Sequence, residues 1–218
     1  MKVKDIGRRK KRASLTPRRL SQCYVDAAKR GAYLWRNVKM NQIVKPLHTA
    51  IKQKAIELIE ATQNDKSVLE QCIKDLSYIV EYTGWDDYSE DEAQDVLDHK
   101  ELPVNGSKEN DRVYIIRKDG VYVGYCKLYE GAMNDPYKVF LGYMGIMRKY
   151  QKKGIGKEVY RVLEEEIKSN GYKTIRLNVG TRNIEALAFW IRNGYRSIVS
   201  VIKYENGYMD INLEKRLT

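Results

Sequence analysis

Apolar positions are arranged along the chain in two alternating rhythms. Ala55–Ala61 alternates as a strand does, "QND" (63–65) reads as a turn, and Val68, Leu69, Ile73, Leu76, Ile79 and Val80 fall on one helical stripe. A second, shorter helix is predicted from Glu90 to His99. Two strands follow, Val113–Arg117 and Val121–Tyr129, joined by the hairpin turn Lys118-Asp119-Gly120, and then a third, Lys138–Met147. Ile155, Val159, Leu163 and Ile167 mark the buried face of a helix that stops at Asn170-Gly171. A strand over Lys173–Val179, a helix over Asn183–Arg192 and two closing strands around Asn206-Gly207 complete the pattern. The predicted order is βααβββαβαββ, an α+β (mixed α/β) domain with helices on a largely antiparallel sheet.

Composition changes this picture only at the N-terminus. With 218 residues and 43% apolar content the chain supports one good-sized core. The net charge of +11 is unevenly placed: residues 1–53 carry +13 and residues 54–218 carry −2. Two parts are therefore expected, a basic N-terminal extension over 1–53 and a body over 54–218. The run "GRRKKRASLTPRRLSQ" has the character of a solvated arm or of one that meets phosphates, so nucleic-acid contact is expected only through residues 1–39. Thr16 as a cap, Pro17 at a first helical position, and Leu20, Tyr24, Ala27, Gly31 and Leu34 at helical spacing predict a short basic amphipathic helix there. Cys23, Cys72 and Cys126 lie far apart without a CxxC pair, which argues against a disulfide framework or a metal site. No leader pattern and no apolar run long enough for a membrane span is present, so a cytoplasmic protein is expected.

The chemistry concentrates in "QKKGIGKEVY", residues 151–160. A strand, a glycine turn and a helix in succession aim free backbone N–H groups at an anion. Gly154 and Gly156 allow close approach, the helix adds its positive dipole end, and Lys152, Lys153 and Lys157 add charge. Neither G-x-x-x-x-G-K-[ST] nor a complete G-x-G-x-x-G is present, which sets ATP and NAD aside.

"QKKGIG" resembles the Q/R-x-x-G-x-G/A signature of the GNAT superfamily of N-acetyltransferases. A second segment, "LNVGTRNIEALAFWIRNGY", resembles that family's following strand, helix and closing turn through Leu177, Val179, Asn183, Ala186, Phe189, Gly194 and Tyr195. The resemblance implies acetyl-CoA as acyl donor and a primary amine as acceptor, in a monomer or a homodimer. It implies that Gly145, Ile146 and Met147 pair with the pantetheine arm and thioester. Backbone amides of Gln151, Lys152, Lys153, Gly154, Ile155, Gly156 and Lys157 would hold the pyrophosphate, and Asn183 would reach the pantetheine.

The pattern departs from the family at the acid and base. Trp190 stands where many members have a tyrosine proton donor, and Phe140 and Asn178 stand where others carry carboxylates. Catalysis then rests on positioning and backbone electrostatics, or on another residue, with Tyr143 and Glu130 as candidates; binding without turnover is the third reading. Between Trp85 and Glu101 the acids Asp86, Asp87, Glu90, Asp91, Glu92, Asp95, Asp98 and Glu101 face only Lys100. Such a wall concentrates a cationic amine such as a polyamine, an aminoglycoside or a lysine-containing peptide, or is simply a solvated acidic face. His99 sits within it. Alternatively the basic arm delivers a transferase to RNA or the ribosome.

Overall fold

The computed structural model describes residues 44–83, 89–103 and 106–218. The expected basic helix after Thr16 and the wall acids Asp86 and Asp87 lie outside the described residues.

Eight strands form one sheet: β1 (Ala50–Gln53), β2 (Ile56–Glu60), β3 (Asp111–Lys118), β4 (Val121–Glu130), β5 (Lys138–Ile146), β6 (Thr174–Gly180), β7 (Ser197–Lys203) and β8 (Met209–Arg216). Their spatial order is β1-β2-β3-β4-β5-β6-β8-β7. Every neighbouring pair is antiparallel except β5 with β6. Five helices accompany the sheet among the described residues: α1 (Lys66–Leu76), α2 (Val80–Thr83), α3 (Glu92–Leu97), α4 (Ile155–Ser169) and α5 (Ile184–Arg192).

Strict alternation along β3 explains the two-sided packing. Tyr114 and Ile116 join Leu58, Val159, Leu163 and Ile167 in the core under α4. Val113 and Ile115 join Leu69, Cys72, Ile73 and Leu76 of α1 and Ala93, Val96 and Leu97 of α3 on the other side. Period 2 in the strands and period 3.6 in the helices thus meet as two layers on one sheet.

The structure differs from the pattern reading in three places. β1 precedes Lys54 and pairs with β2 from Ala50–Ile59 to Gln53–Ile56, so the sheet begins ahead of the residue where the body was expected to start. The preceding residues are tied in as well: Leu47 is 3% exposed, Lys45 N–H donates to Asn170 O at 2.9 Å, and the Tyr114 hydroxyl donates to His48 O at 2.8 Å. The first long helix ends at Leu76, where the Ser77 hydroxyl donates back to Lys74 O at 2.9 Å. A short 3-10 turn, Ser77–Ile79, then leads into α2. The next helix covers only Glu92–Leu97, and His99 beyond it takes a left-handed conformation with φ 53°.

Candidate active site

The site grows out of a failure of strand pairing. β5 and β6 run together only from Lys138–Thr174 to Leu141–Leu177. At that point β5 carries one residue too many: Leu128 of β4 faces Leu141 while Lys127 faces Tyr143, leaving Gly142 as a bulge. A bulge bends its strand and sharpens the local twist. β5 continues with β4, through Cys126–Met144, Tyr125–Gly145 and Gly124–Ile146, while β6 continues with β8, through Asn178–Asn212, Val179–Ile211 and Gly180–Asp210. The wedge between them opens into a cleft of about 590 Å³, lined by both diverging strands, by Leu76, Tyr78, Ile79 and Thr83, and by the start of α4 and the face of α5. On its β6 side the last stretch of β5 offers backbone groups that no strand takes up. Gly145 is needed there: a Cβ would stand 2.6 Å from Leu76 Cδ1 and 2.7 Å from the Tyr143 hydroxyl.

The glycine turn closes one end of the cleft. Lys152 and Gly154 are both left-handed, with φ 58° and 80°. Among the described residues no atom beyond its chain neighbours lies within 4 Å of where a Gly154 Cβ would be, so that residue leaves open space in front of the helix. Gln151 N–H already donates to Arg148 O and Lys157 N–H to Gly154 O. Among the described residues the N–H groups of Lys152, Lys153, Gly154, Ile155 and Gly156 have no protein acceptor. Five free donors in a concave turn at a helix start form an anion cradle. The Gln151 side chain fixes this cradle to β5, donating to Ile146 O at 2.6 Å and to the Tyr78 hydroxyl at 2.9 Å.

Eight of the expected cofactor residues line the cleft: Gly145, Ile146, Gln151, Lys152, Gly154, Gly156, Lys157 and Asn183. Three do not. Met147 packs its side chain with the α1 core and gives its N–H to Val123 O, Ile155 points from the first turn of α4 into the core, and Lys153 turns its ammonium to Lys149 O. Asn183 caps α5, its Oδ1 accepting from Ala186 N–H at 3.0 Å.

Of the two expected catalytic candidates, Tyr143 lines the cleft, its ring stacked on Tyr125 with centroids 4.6 Å apart. Burial pushes its hydroxyl far above the usual tyrosine range, so it keeps its proton. Glu130 is a correction. It sits at the far end of β4, opposite Val139, and is not among the cleft's lining residues. Its carboxylate accepts from Arg112 Nε at 2.7 Å, from Leu47 N–H at 3.2 Å and from the Tyr172 hydroxyl, which makes it a buried tie between β4, β3 and the N-terminal segment. Trp190 lines the cleft but is 7% exposed and set edge-on to Tyr160, Tyr195 and Phe189. The described wall acids do not line the cleft; α3 packs on α1, whose end does. Burial raises the carboxyls of Glu92 and Glu101, and His99 is held 2.8 Å from Asp111 rather than facing the cleft.

One cleft residue escaped the pattern reading. Asp210, 2% exposed, lines the inner cleft and accepts from the Tyr204 hydroxyl at 2.9 Å and Asn178 Nδ2 at 3.1 Å. In sequence it alternates with Asn212, Glu214 and Arg216 and so reads as part of the polar face of β8.

Comparison with known proteins identifies the class of fold to which this splayed parallel pair and glycine turn belong. A sequence model of the Acetyltransferase (GNAT) family matches residues 76–195, and the chain belongs to that family. Similar folds include an acetyltransferase from Thermus thermophilus (TM-score 0.60, 18% identity, 75% of this chain and 97% of that one). Another is yncA from Salmonella typhimurium, solved with its cofactor acetyl-CoA (TM-score 0.56, 16% identity, 76% and 95%). A third is the ribosomal-protein-S18-alanine N-acetyltransferase from Escherichia coli (TM-score 0.53, 14% identity, 75% and 94%). No curated protein matches the sequence significantly. No helix among the described residues is long and apolar enough to cross a membrane.

Proposed function

We propose that this chain transfers the acetyl group of acetyl-CoA to a primary amine on a cationic small molecule or a lysine-containing peptide. The observation that carries the reading is the adjacency of five unpaired N–H groups, Lys152 to Gly156, to the unpaired edge of β5. The cradle fits a pyrophosphate, and the extended strand edge fits an amide-bearing arm, whose two peptide-like groups would pair as a further strand does. Lys152 and Lys157 supply charge at the mouth. When bound, acetyl-CoA supplies an electrophilic thioester carbon and a thiolate that leaves readily.

The residues of the chain bind and orient. The turn holds the phosphates, Gly142–Ile146 align the arm, and the Tyr143 hydroxyl, beside Gly145, offers a hydrogen bond where β5 has no strand neighbour. A cationic acceptor is supported by Asp210, a carboxylate that lines the cleft and has no ion pair among the described residues. Calorimetric titration with acetyl-CoA, followed by thiol release with spermidine, an aminoglycoside and a lysine peptide, tests the reading. Saturable binding with amine-dependent thiol release supports it. Binding without release under any amine makes the chain an acyl-CoA-binding domain, and no binding removes the proposal. RNA binding that weakens steeply with salt and is lost on deleting residues 1–39 would instead favour delivery by the basic arm.

A further inference from the structure

Among the described residues only two carboxylates line the cleft, Glu185 and Asp210. Glu185 is 77% exposed beside the glycine turn, where Lys152 pairs with it at 2.7 Å. Asp210 is its opposite. It is the second residue of β8, across from Gly180, where β6 has already parted from β5, and it is enclosed. We propose, resting on the function above, that Asp210 takes the proton from the incoming amine.

The geometry is specific. Both hydrogen bonds to the side chain, from Tyr204 and Asn178, end on Oδ2. Oδ1 carries neither. It lies 3.6 Å from where a Gly180 Cβ would stand, and the same Cβ would come within 2.8 Å of Tyr82 O. The absent side chain at Gly180 therefore lets the Tyr82 carbonyl at the end of α2 approach beside Asp210, and Asp210, Ile79 and Thr83 all line the cleft. Two donors on one oxygen fix the carboxylate's orientation and leave the other oxygen to a guest. No ion pair among the described residues involves Asp210, and a buried carboxylate without a cation is costly unless something visits it. A cationic amine is the visitor that matches.

The surroundings set its proton affinity. Burial raises it, while the bonds from Tyr204 and Asn178 pull it partly back, and among the described residues no charged side chain contributes. Facing groups are Tyr204 from the β7–β8 hairpin, Asn178 and Gly180 from β6, and the Tyr82 carbonyl from α2. Arg182, next in sequence to Thr181, which bonds Met209 O, is stacked on the Tyr208 ring at 4.1 Å. A carboxylate raised from the ordinary aspartate range is a stronger base for this task.

The step balances. A primary ammonium has no lone pair until one N–H bond breaks, and its proton goes to Asp210. The freed lone pair forms the C–N bond at the thioester carbonyl carbon, and the C–S bond breaks with its electrons on sulfur. The second nitrogen proton ends on that thiolate, and Asp210 returns its proton to water. The products are an N-acetyl amine and the free thiol.

The test uses the full chain, wild type and Asp210→Asn, with acetyl-CoA and spermidine or the lysine peptide. Asp210→Asn is expected to bind acetyl-CoA as wild type does by calorimetry, to lose about 10²–10⁴-fold in kcat/KM at neutral pH, and to lose the acid limb of the pH profile. Its rate should recover at alkaline pH, where the amine loses its proton unaided. Tyr204→Phe keeps the carboxylate but removes a bond that favours its charged form, so the acid limb should move to higher pH. A readout without turnover is the melting temperature of the protein alone. Because the folded state holds this proton more tightly than the unfolded chain, wild type should lose stability relative to Asp210→Asn as pH rises through the titration of Asp210. Wild-type turnover with Asp210→Asn within a few-fold and its acid limb in place overturns the proposal, as do parallel melting curves and an unmoved limb in Tyr204→Phe. A wild type that binds no acetyl-CoA, or releases thiol with no amine, overturns the proposed function and this step with it.

Discussion

Gly154→Ala separates what the glycine turn does for the fold from what it does for a ligand. Gly154 has φ 80° with nothing within 4 Å of a new Cβ, and Gly207, in the β7–β8 hairpin, has φ 81° and equally open space. The two positions carry the same backbone requirement and the same absence of clash, but only Gly154 lines the cleft. Placing alanine in a left-handed conformation costs about 1–2 kcal/mol. In a chain of this size, where each kcal/mol moves the midpoint by about 2–4 °C, either variant should lower Tm by about 2–8 °C. Calorimetry with acetyl-CoA then discriminates. Gly154→Ala puts a methyl group in front of the free N–H groups of the cradle and should weaken binding at least 10-fold, about 1.4 kcal/mol. Gly207→Ala should leave affinity unchanged. Equal affinity losses in both variants, or none in either, would refute the placement of the phosphates at this turn.

Three further outcomes follow from the geometry. Glu130→Gln weakens a buried tie to Arg112, Leu47 and Tyr172 and should cost about 1–3 kcal/mol of stability. Acetyl transfer per folded molecule should stay unchanged, because the residue is away from the cleft; a large rate loss in a stable protein would contradict this. Lys152→Ala removes an exposed pair with Glu185, so Tm should move by less than the equivalent of about 1 kcal/mol. Its affinity for acetyl-CoA should fall and depend less steeply on salt, as a titration at two ionic strengths would show. Tyr143→Phe should lower the transfer rate without changing acetyl-CoA affinity or the acid limb of the pH profile, since this buried hydroxyl keeps its proton across the working range.

The legibility of this molecule divides along local and non-local physics. "QKKGIG" was readable because a left-handed glycine before a helix is a property of consecutive residues, and the stripe Ile155, Val159, Leu163 and Ile167 marks its own buried face. β1 was not, since four residues with only Ile51 buried give no period to recognise. The wedge depends on the bulge at Gly142, visible only once β4 is in register with β5. Glu130, an acid at a strand end, reads from sequence as available; Arg112, Leu47 and Tyr172, 18 to 83 residues away, occupy it. Asp210 belongs to the cleft through β8 pairing with β6, a neighbour relation that strand alternation does not reveal.

The account stands most directly on the amides of Lys152, Lys153, Gly154, Ile155 and Gly156. Titrating acetyl-CoA into ¹⁵N-labelled protein and following backbone amide resonances addresses them one by one. These five should shift together along a single saturation curve, joined by the β5 residues from Gly142 to Ile146, while amides near Glu130 and in the β1–β2 hairpin stay in place. Saturation with shifts confined elsewhere, or no shift at any of the five, would contradict the central claim that the turn and the splayed strand hold the acyl donor.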